Sequence, residues 1–589
     1  MINPLPYYTE HLKIYKAEVL RLKKQMTFLS TIRVLVFLMT VFGIYMVFPI
    51  WKLSLFIGIL GIAIFIFLLL KYADKKVESN LNKELIKINE DEIDILSGNF
   101  HHRNQGLPFQ DPNHFYSLDI DLFGRGSFFQ YINRTTISEG TEQLANMLKA
   151  NHISDITLRQ DAIKELSYKP EWRQGYSATS SLVEVETPAK VIIKWLLGHR
   201  PFLTKQIKWL AIGFSIISIV LLGFSIFNII DKSLIGYWLL LGLGITGIYL
   251  KRINYLALNS DKLKDTFRHY ASLLNQIETE TFTSELLLQK QNQIKSKEKK
   301  ASQIFKEFSK TLDALDNRNN LISAIFGNGL FLLDLKNSYH IEQWMSLHAT
   351  KVEEWFEVVS FFDAFNTLGN VAFNHPDFVF PDIKTHGAVI NATQLGHPLL
   401  NKTKRVDSDV LIDNEQFFIV TGANMAGKST FLRTVSLHIV MANVGLPVCA
   451  KASQYHPVKL ITSMRTSDSL TDESSYFFSE LKRLKYIVDA IKKEPYFIVL
   501  DEILKGTNST DKAIGSKKFV EKLVASKATG IIATHDLSLC TIEKELSEVK
   551  NYYFDAEIIN DELHFDYTLK EGICKNMNAS FLLKKMDII

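Results

Sequence analysis

A short apolar run, Phe417-Phe418-Ile419-Val420, leads directly into Gly422-Ala423-Asn424-Met425-Ala426-Gly427-Lys428-Ser429-Thr430, and residues 431–440 continue with helical texture. Strand, glycine loop and helix in that order are what a phosphate-binding loop requires. Glycines let the backbone curl until successive N–H groups face phosphate oxygens, and the helix N-terminus adds positive potential. Gly422, Asn424, Met425, Gly427 and Thr430 are therefore expected to line a nucleotide's phosphates. Lys428 should reach the β- and γ-phosphates and Ser429 should ligate Mg²⁺, so ATP and Mg²⁺ are the implied ligands.

Further on, Tyr496-Phe497-Ile498-Val499-Leu500 ends in Asp501-Glu502, an apolar strand delivering two acids to one edge. Asp501 is expected to hold Mg²⁺ through its water shell, and Glu502 to orient or deprotonate the attacking water. A third run, Gly530-Ile531-Ile532-Ala533, ends in Thr534-His535-Asp536, which suits His535 to sensing the γ-phosphate. The catalytic set read this way is Glu502, His535 and Lys428, with Ser429 and Asp501 as metal ligands. The small polar runs 474–477 and 506–511 have no obvious packing purpose.

The elements that must position these groups form an α/β domain from about residue 383, where short β-branched runs alternate with helices. Upstream the texture is helical, with helices expected over 71–99, 117–176, 260–317 and 340–372, and a polar linker over 101–114. Seven lysines in 290–310 read as a solvated helix face before they read as a phosphate-contacting surface. A net charge of +4 is too mild to argue nucleic-acid binding by itself, and three widely separated cysteines exclude a disulfide framework or zinc site.

Four uncharged apolar runs, 34–51, 53–70, 209–230 and 233–250, are each long enough to cross about 30 Å of hydrocarbon. They form two hairpins, with connections expected around Lys52 and around Asp231-Lys232. Lys and Arg flank the outer ends of both hairpins while each connection carries one Lys, which puts both termini and the bulk domains on the cytoplasmic side. A multi-pass protein of a prokaryotic cytoplasmic membrane follows. The organisation expected is a juxtamembrane segment (1–30), a hairpin (31–71), a helical segment (72–205), a second hairpin (206–250), a further helical segment (251–378) and the ATPase domain (379–589).

The motifs together resemble the MutS family. Thr421 to Thr430 is similar to the family's phosphate loop, 468–480 to its signature segment with Ser475 at the signature serine, 501–511 to its Walker B and D-loop run, and Ala533-Thr534-His535 to its switch histidine. Gly396-His397-Pro398 and 570–578 resemble the stretches that open and close the same domain, and 118–163 and 356–381 resemble the two ends of the family's helical core. The resemblance implies an ABC-type P-loop ATPase domain, a homodimer, and Ser475 reaching the nucleotide of the opposing subunit in trans. It also implies DNA as a partner and kinship with mismatch repair. The departures are as informative. Ala423 and Ala426 stand where the family commonly has Pro and Gly, no Phe-x-Glu mismatch reader occurs in the first 200 residues, and the lever-and-clamp stretch is short and lies beside a transmembrane hairpin. Two readings remain: a membrane-tethered, DNA-associated ATPase, which the likeness favours, and a membrane mechanoenzyme whose dimer motion acts on the hairpins or a protein partner, which the departures favour.

Overall fold

The computed structural model describes residues 3–182, 187–260, 263–295, 299–423, 425–465, 476–559 and 562–574. Helices fill the first two thirds: α1 (Pro4–Met46), α2 (Trp51–Leu96), α3 (Phe128–Ile132), α4 (Ser138–Lys149), α5 (Ile156–Ser167), α6 (Pro170–Ser181), α7 (Ala189–Gly198), α8 (Gln206–Ile226), α9 (Ser233–Ser260), α10 (Lys264–Thr279), α11 (Glu285–Ile294), α12 (Ala301–Asp316), α13 (Asn328–Phe331) and α14 (Leu333–Asn374). The strands follow, β1 (Asp382–Ile383), β2 (Ile390–Leu395), β3 (Ser408–Ile412), β4 (Phe417–Gly422), β5 (Ala452–Tyr455), β6 (Lys459–Ser463), β7 (Tyr496–Asp501), β8 (Thr529–Ala533), β9 (Val549–Ile559) and β10 (Glu562–Glu571), with α15 (Lys428–Val444), α16 (Tyr476–Ile491) and α17 (Ser509–Ala525) between them.

The four apolar runs fall on α1, α2, α8 and α9, all long and apolar enough to cross a membrane. The expected juxtamembrane segment and first span are one 43-residue helix, and the second span runs on to Leu96 without a break. The first connection is 47–50, not the expected turn at Lys52. Pro49 accounts for this, because it disfavours helical backbone at Phe48 and so keeps α1 from running on. The expected linker 101–114 is pinned in place: Arg103 donates to Asp91 at 2.7 Å and to the Asn133 carbonyl, while Gln130 donates to the carbonyls of His101 and Arg103. The stretch 260–317, expected as one long helical run, is three helices, broken at 280–284 and again before Ala301.

α14 is the spine of the helical region, 42 residues or roughly 63 Å at about 1.5 Å per residue. Phe308 stacks on Trp344 at 3.7 Å and Phe267 packs edge-on against Phe305, fixing α10 and α12 on its first half. Near its other end Tyr8 of α1 donates to Asn374 at 2.7 Å, and the buried Glu92 of α2 accepts from Asn370, Asn374 and Arg134. Burial would raise the Glu92 carboxyl, but the Arg134 guanidinium outweighs it and holds the group below the usual range. Both helices of the first hairpin thus reach the end of α14 nearest the strands.

Six strands form the main sheet in the order β10-β9-β4-β8-β7-β6, parallel except for β10. A smaller sheet, β1-β5-β2-β3, packs beside it. Central strands such as β4 and β8 are buried on both faces and read as continuous apolar runs, as parallel strands covered by helices must. The helical region is tied to this domain by Asn151, which brackets the backbone of Leu460, and by Arg483, which donates to the carbonyls of Phe115 and Thr462.

Candidate functional site

β4, β8 and β7 are neighbours, so the loops after all three open at one carboxyl edge of the sheet. A cavity of about 570 Å³ lies there, lined by Met425, Gly427, Lys428, Ser429, Thr430, Asp501, Glu502 and His535 among others. The structure therefore brings together most of the residues picked out from the sequence. Gly422 forms the base of the loop. Asn424 and Ser475, with the polar stretch before Ser475, lie outside the described residues.

The loop needs its glycines for two separate reasons. Gly422 adopts φ 153°, and a Cβ there would stand 2.8 Å from the Phe554 carbonyl oxygen of β9. Gly427 adopts φ 102° at the start of α15, and a Cβ would press on the Tyr567 ring at 3.2 Å. Ala423 and Ala426 are buried, which explains why only small residues serve at those departures.

Lys428 is buried, and its ammonium donates to the carbonyls of Gly422 and Ala423 at 2.8 and 2.9 Å. Burial depresses its pKa, while Asp501 and Glu502 pull it back up. Ser429 donates to Asp501 at 2.8 Å, so a hydroxyl and a carboxylate converge at one point. Hard oxygen donors of that kind suit Mg²⁺. Glu502 has φ 49°, a left-handed conformation that is strained for any residue with a Cβ and is found at functional positions. Its carboxylate accepts from Lys512 at 2.9 Å and lies 3.6 Å from the Lys505 ammonium. Burial would raise this carboxyl, but the Lys512 hydrogen bond and charge, together with Lys505 and His535, hold the group below the usual range. Burial and the nearby Lys428 charge lower His535, which keeps the ring neutral at physiological pH.

Several site residues were not legible in the sequence. Lys512 and Tyr567 carry no motif, Lys505 lies in the 501–511 run without a role read from it, and His397 is legible only as part of the domain-opening stretch. His397 lines the same cavity, and burial with Arg433 and Arg405 nearby pushes its pKa down to about 4. The 506–511 run does have a packing purpose. Asn508 caps α17 by accepting from the Asp511 amide at 2.9 Å, and Gly506 lies so close to Phe477 that a Cβ would stand 2.8 Å from its Cβ. The Asn-x-x-Asp spacing was the available signal. Glu480 of α16 accepts from the amides of Leu504 and Lys505, coupling the signature helix to the Walker B loop.

Residues 418–584 match the family model for MutS domain V. This C-terminal stretch is therefore similar to the fifth domain of the MutS family. The chain is 31% identical over 214 residues to MutS protein homolog 4 of Homo sapiens, covering 34% of this chain and 22% of that protein. It is 33% identical over 227 residues to the DNA mismatch repair protein MutS of Methanococcoides burtonii, covering 37% and 25%. With the MutS of Finegoldia magna it shares 28% over 251 residues, covering 41% and 29%. The match thus spans about a quarter of the length of these MutS relatives and lies in the ATPase-type domain.

Proposed function

We propose that this MutS-like protein is a membrane-anchored, Mg²⁺-dependent ATPase that works as a homodimer and associates with DNA. The convergence of Lys428, Ser429, Asp501, Glu502 and His535 on one cavity carries the ATPase reading. ATP phosphates would draw the Lys428 ammonium off the two loop carbonyls and onto the β- and γ-oxygens. Ser429 and Asp501 would hold Mg²⁺, which supplies charge neutralisation at the phosphates. Glu502, kept ionised by Lys512, accepts the proton of the attacking water, and neutral His535 donates a hydrogen bond near the γ-phosphate. Anchoring rests on the four apolar helices with basic flanks at their cytoplasmic ends.

DNA association rests on kinship with mismatch-repair proteins. One observation favours the second reading, a membrane mechanoenzyme: α14 runs unbroken from the second hairpin to the ATPase-type domain. The lysines of 290–310 share their surface with acids, as in the Lys299–Glu307 pair, so they form a mixed rather than a uniformly basic face. The deciding experiment measures Mg²⁺-ATP hydrolysis and the binding of duplex, mismatched and branched DNA by detergent-solubilised protein over a salt series. DNA association predicts that log affinity falls linearly with log salt. Hydrolysis without DNA binding at low salt would overturn the DNA reading in favour of the mechanical one, and absence of hydrolysis would overturn both.

A further inference from the structure

Residues 321–333 run Leu-Ile-Ser-Ala-Ile-Phe-Gly-Asn-Gly-Leu-Phe-Leu-Leu, thirteen residues without a charge. That is too short to span a bilayer, which takes about 20 residues. In the structure the segment descends from Arg318 and turns back at Leu332, where φ is 51°. It then re-ascends as the start of α14, with α13 and α14 lying against α8 and α9. Arg318 bonds Asn254 of α9, Gly329 meets Gly242 twelve residues further along the same helix, and Glu342 of α14 accepts from the amides of Phe202 and Leu203 just before α8.

The contacts at the tip are those a chain needs inside hydrocarbon. Gly242 and Gly329 approach so closely that a Cβ on Gly242 would stand 2.3 Å from the Gly329 carbonyl oxygen, the small-residue contact of membrane helices. The reversal at Leu332 frees backbone carbonyls, and an unpaired carbonyl in lipid costs several kcal/mol. Ser218 of α8 donates to the Leu330 carbonyl and Ser215 to that of Phe331, while Trp238 donates to Ser218. Asn328 accepts from the Asp334 amide at 2.9 Å. Gly242 lies nine residues before Lys251, the first cation beyond the fourth span, or about 14 Å along the helix. That depth is near the middle of a bilayer core of about 30 Å. Leu321, Ile322 and Phe326 remain outward, 73%, 70% and 51% exposed.

We infer that residues 321–333 are a re-entrant membrane element, seated on the second hairpin with Leu321, Ile322 and Phe326 against lipid acyl chains, its deepest contact at Gly242 and its return leg held by the Arg318–Asp334 ion pair at 3.3 Å. The inference rests on the membrane reading above and goes beyond it. Lipid is the occupant because the exposed side chains continue the outward apolar surface of α8 and α9, on which Ile216 and Leu240 are also exposed.

The test uses full-length protein in liposomes carrying one nitroxide-labelled cysteine at Phe326, Leu321, Ile216 or the exposed Tyr168. The native cysteines are buried. Accessibility to molecular oxygen and to a water-soluble nickel chelate is then read by power saturation. The expected result is oxygen contact without nickel contact at Phe326, matching Ile216, a shallower position at Leu321, and nickel contact at Tyr168. Nickel contact at Phe326 while Ile216 stays in lipid would overturn the re-entrant assignment alone. Exclusion of both reagents at Phe326 would overturn the lipid assignment in favour of a second copy of the chain. Nickel contact at Ile216 would overturn the membrane reading and this inference with it.

Discussion

At the scale of single residues, the ATP-site proposal separates binding from chemistry. Lys428→Ala removes the loop's own cation at the phosphates and should abolish hydrolysis while weakening nucleotide affinity. Glu502→Gln keeps the shape but loses the base, so ATP should bind normally and turnover should fall by roughly 10²–10⁴-fold, the usual contribution of a general base. Equilibrium ATP binding and steady-state turnover on both variants check this, and near wild-type turnover in Glu502→Gln would remove that residue from the proposed role. Lys512 is a positioning residue with a sharper signature. Burial raises the Glu502 carboxyl and Lys512 is first among the groups that pull it below the usual range, so Lys512→Ala should let that carboxyl rise. Glu502 must be ionised to act, so the acid limb of the kcat–pH profile should move to higher pH. An acid limb that stays put would show that Lys512 does not tune the base.

At the scale of elements, the join between α4 and α14 carries a pH dependence of its own. The Asp363 carboxylate on α14 accepts from the amides of Thr136 and Ile137 and from the Thr136 hydroxyl, at the entry to α4. Burial nonetheless pushes it up to about 7, against those hydrogen bonds, which lower it. The folded protein then holds this proton more tightly than the unfolded chain. The associated stability is fully present below the ordinary carboxyl value of 3.8 and is lost as pH rises through about 7. Asp363→Asn should flatten that part of the profile, read as the unfolding midpoint of detergent-solubilised protein against pH. An unchanged slope would remove Asp363 as its source. Gly140 faces this carboxylate with no room for a Cβ, which would stand 2.1 Å from an oxygen, so Gly140→Ala should cost about 1–3 kcal/mol, the usual penalty of overpacking.

At the scale of the whole molecule, three long helices, α1, α2 and α14, converge beside the ATPase-type domain after leaving the two hairpins. If the apolar helices span a bilayer as proposed, motion of the nucleotide site has a stiff route toward it. The proposed dimer is tested by mixing chains, since Lys428 and Ser475 would belong to one site only when they come from different subunits. Lys428→Ala and Ser475→Arg chains should each be inactive, and mixing them should restore one intact site per mixed dimer and part of the activity. Mixed dimers without recovered hydrolysis would sink the trans arrangement. A Ser475 that merely capped its own helix would cost about 1 kcal/mol on removal and leave turnover largely intact.

What the sequence determined by itself is what is local along the chain. The phosphate loop is a run of consecutive residues whose backbone does the binding, so Gly422 through Ser429 are legible without any tertiary context. The four apolar runs are legible as candidate spans because hydrocarbon would impose a length and forbid charge. Tertiary structure decided what depends on strand order and on distance along the chain. β8 inserts between β4 and β7, which brings His535 beside both motifs although it follows them in sequence. Lys512 reaches Glu502 because α17 folds back over the end of β7, and Tyr567 reaches Gly427 because β10 pairs on the outer side of β9. The apolar stretch 321–333 was invisible for a related reason. Thirteen uncharged residues look the same in a soluble core as in a bilayer, and only their seat against Ser215, Ser218 and Gly242 distinguishes the two.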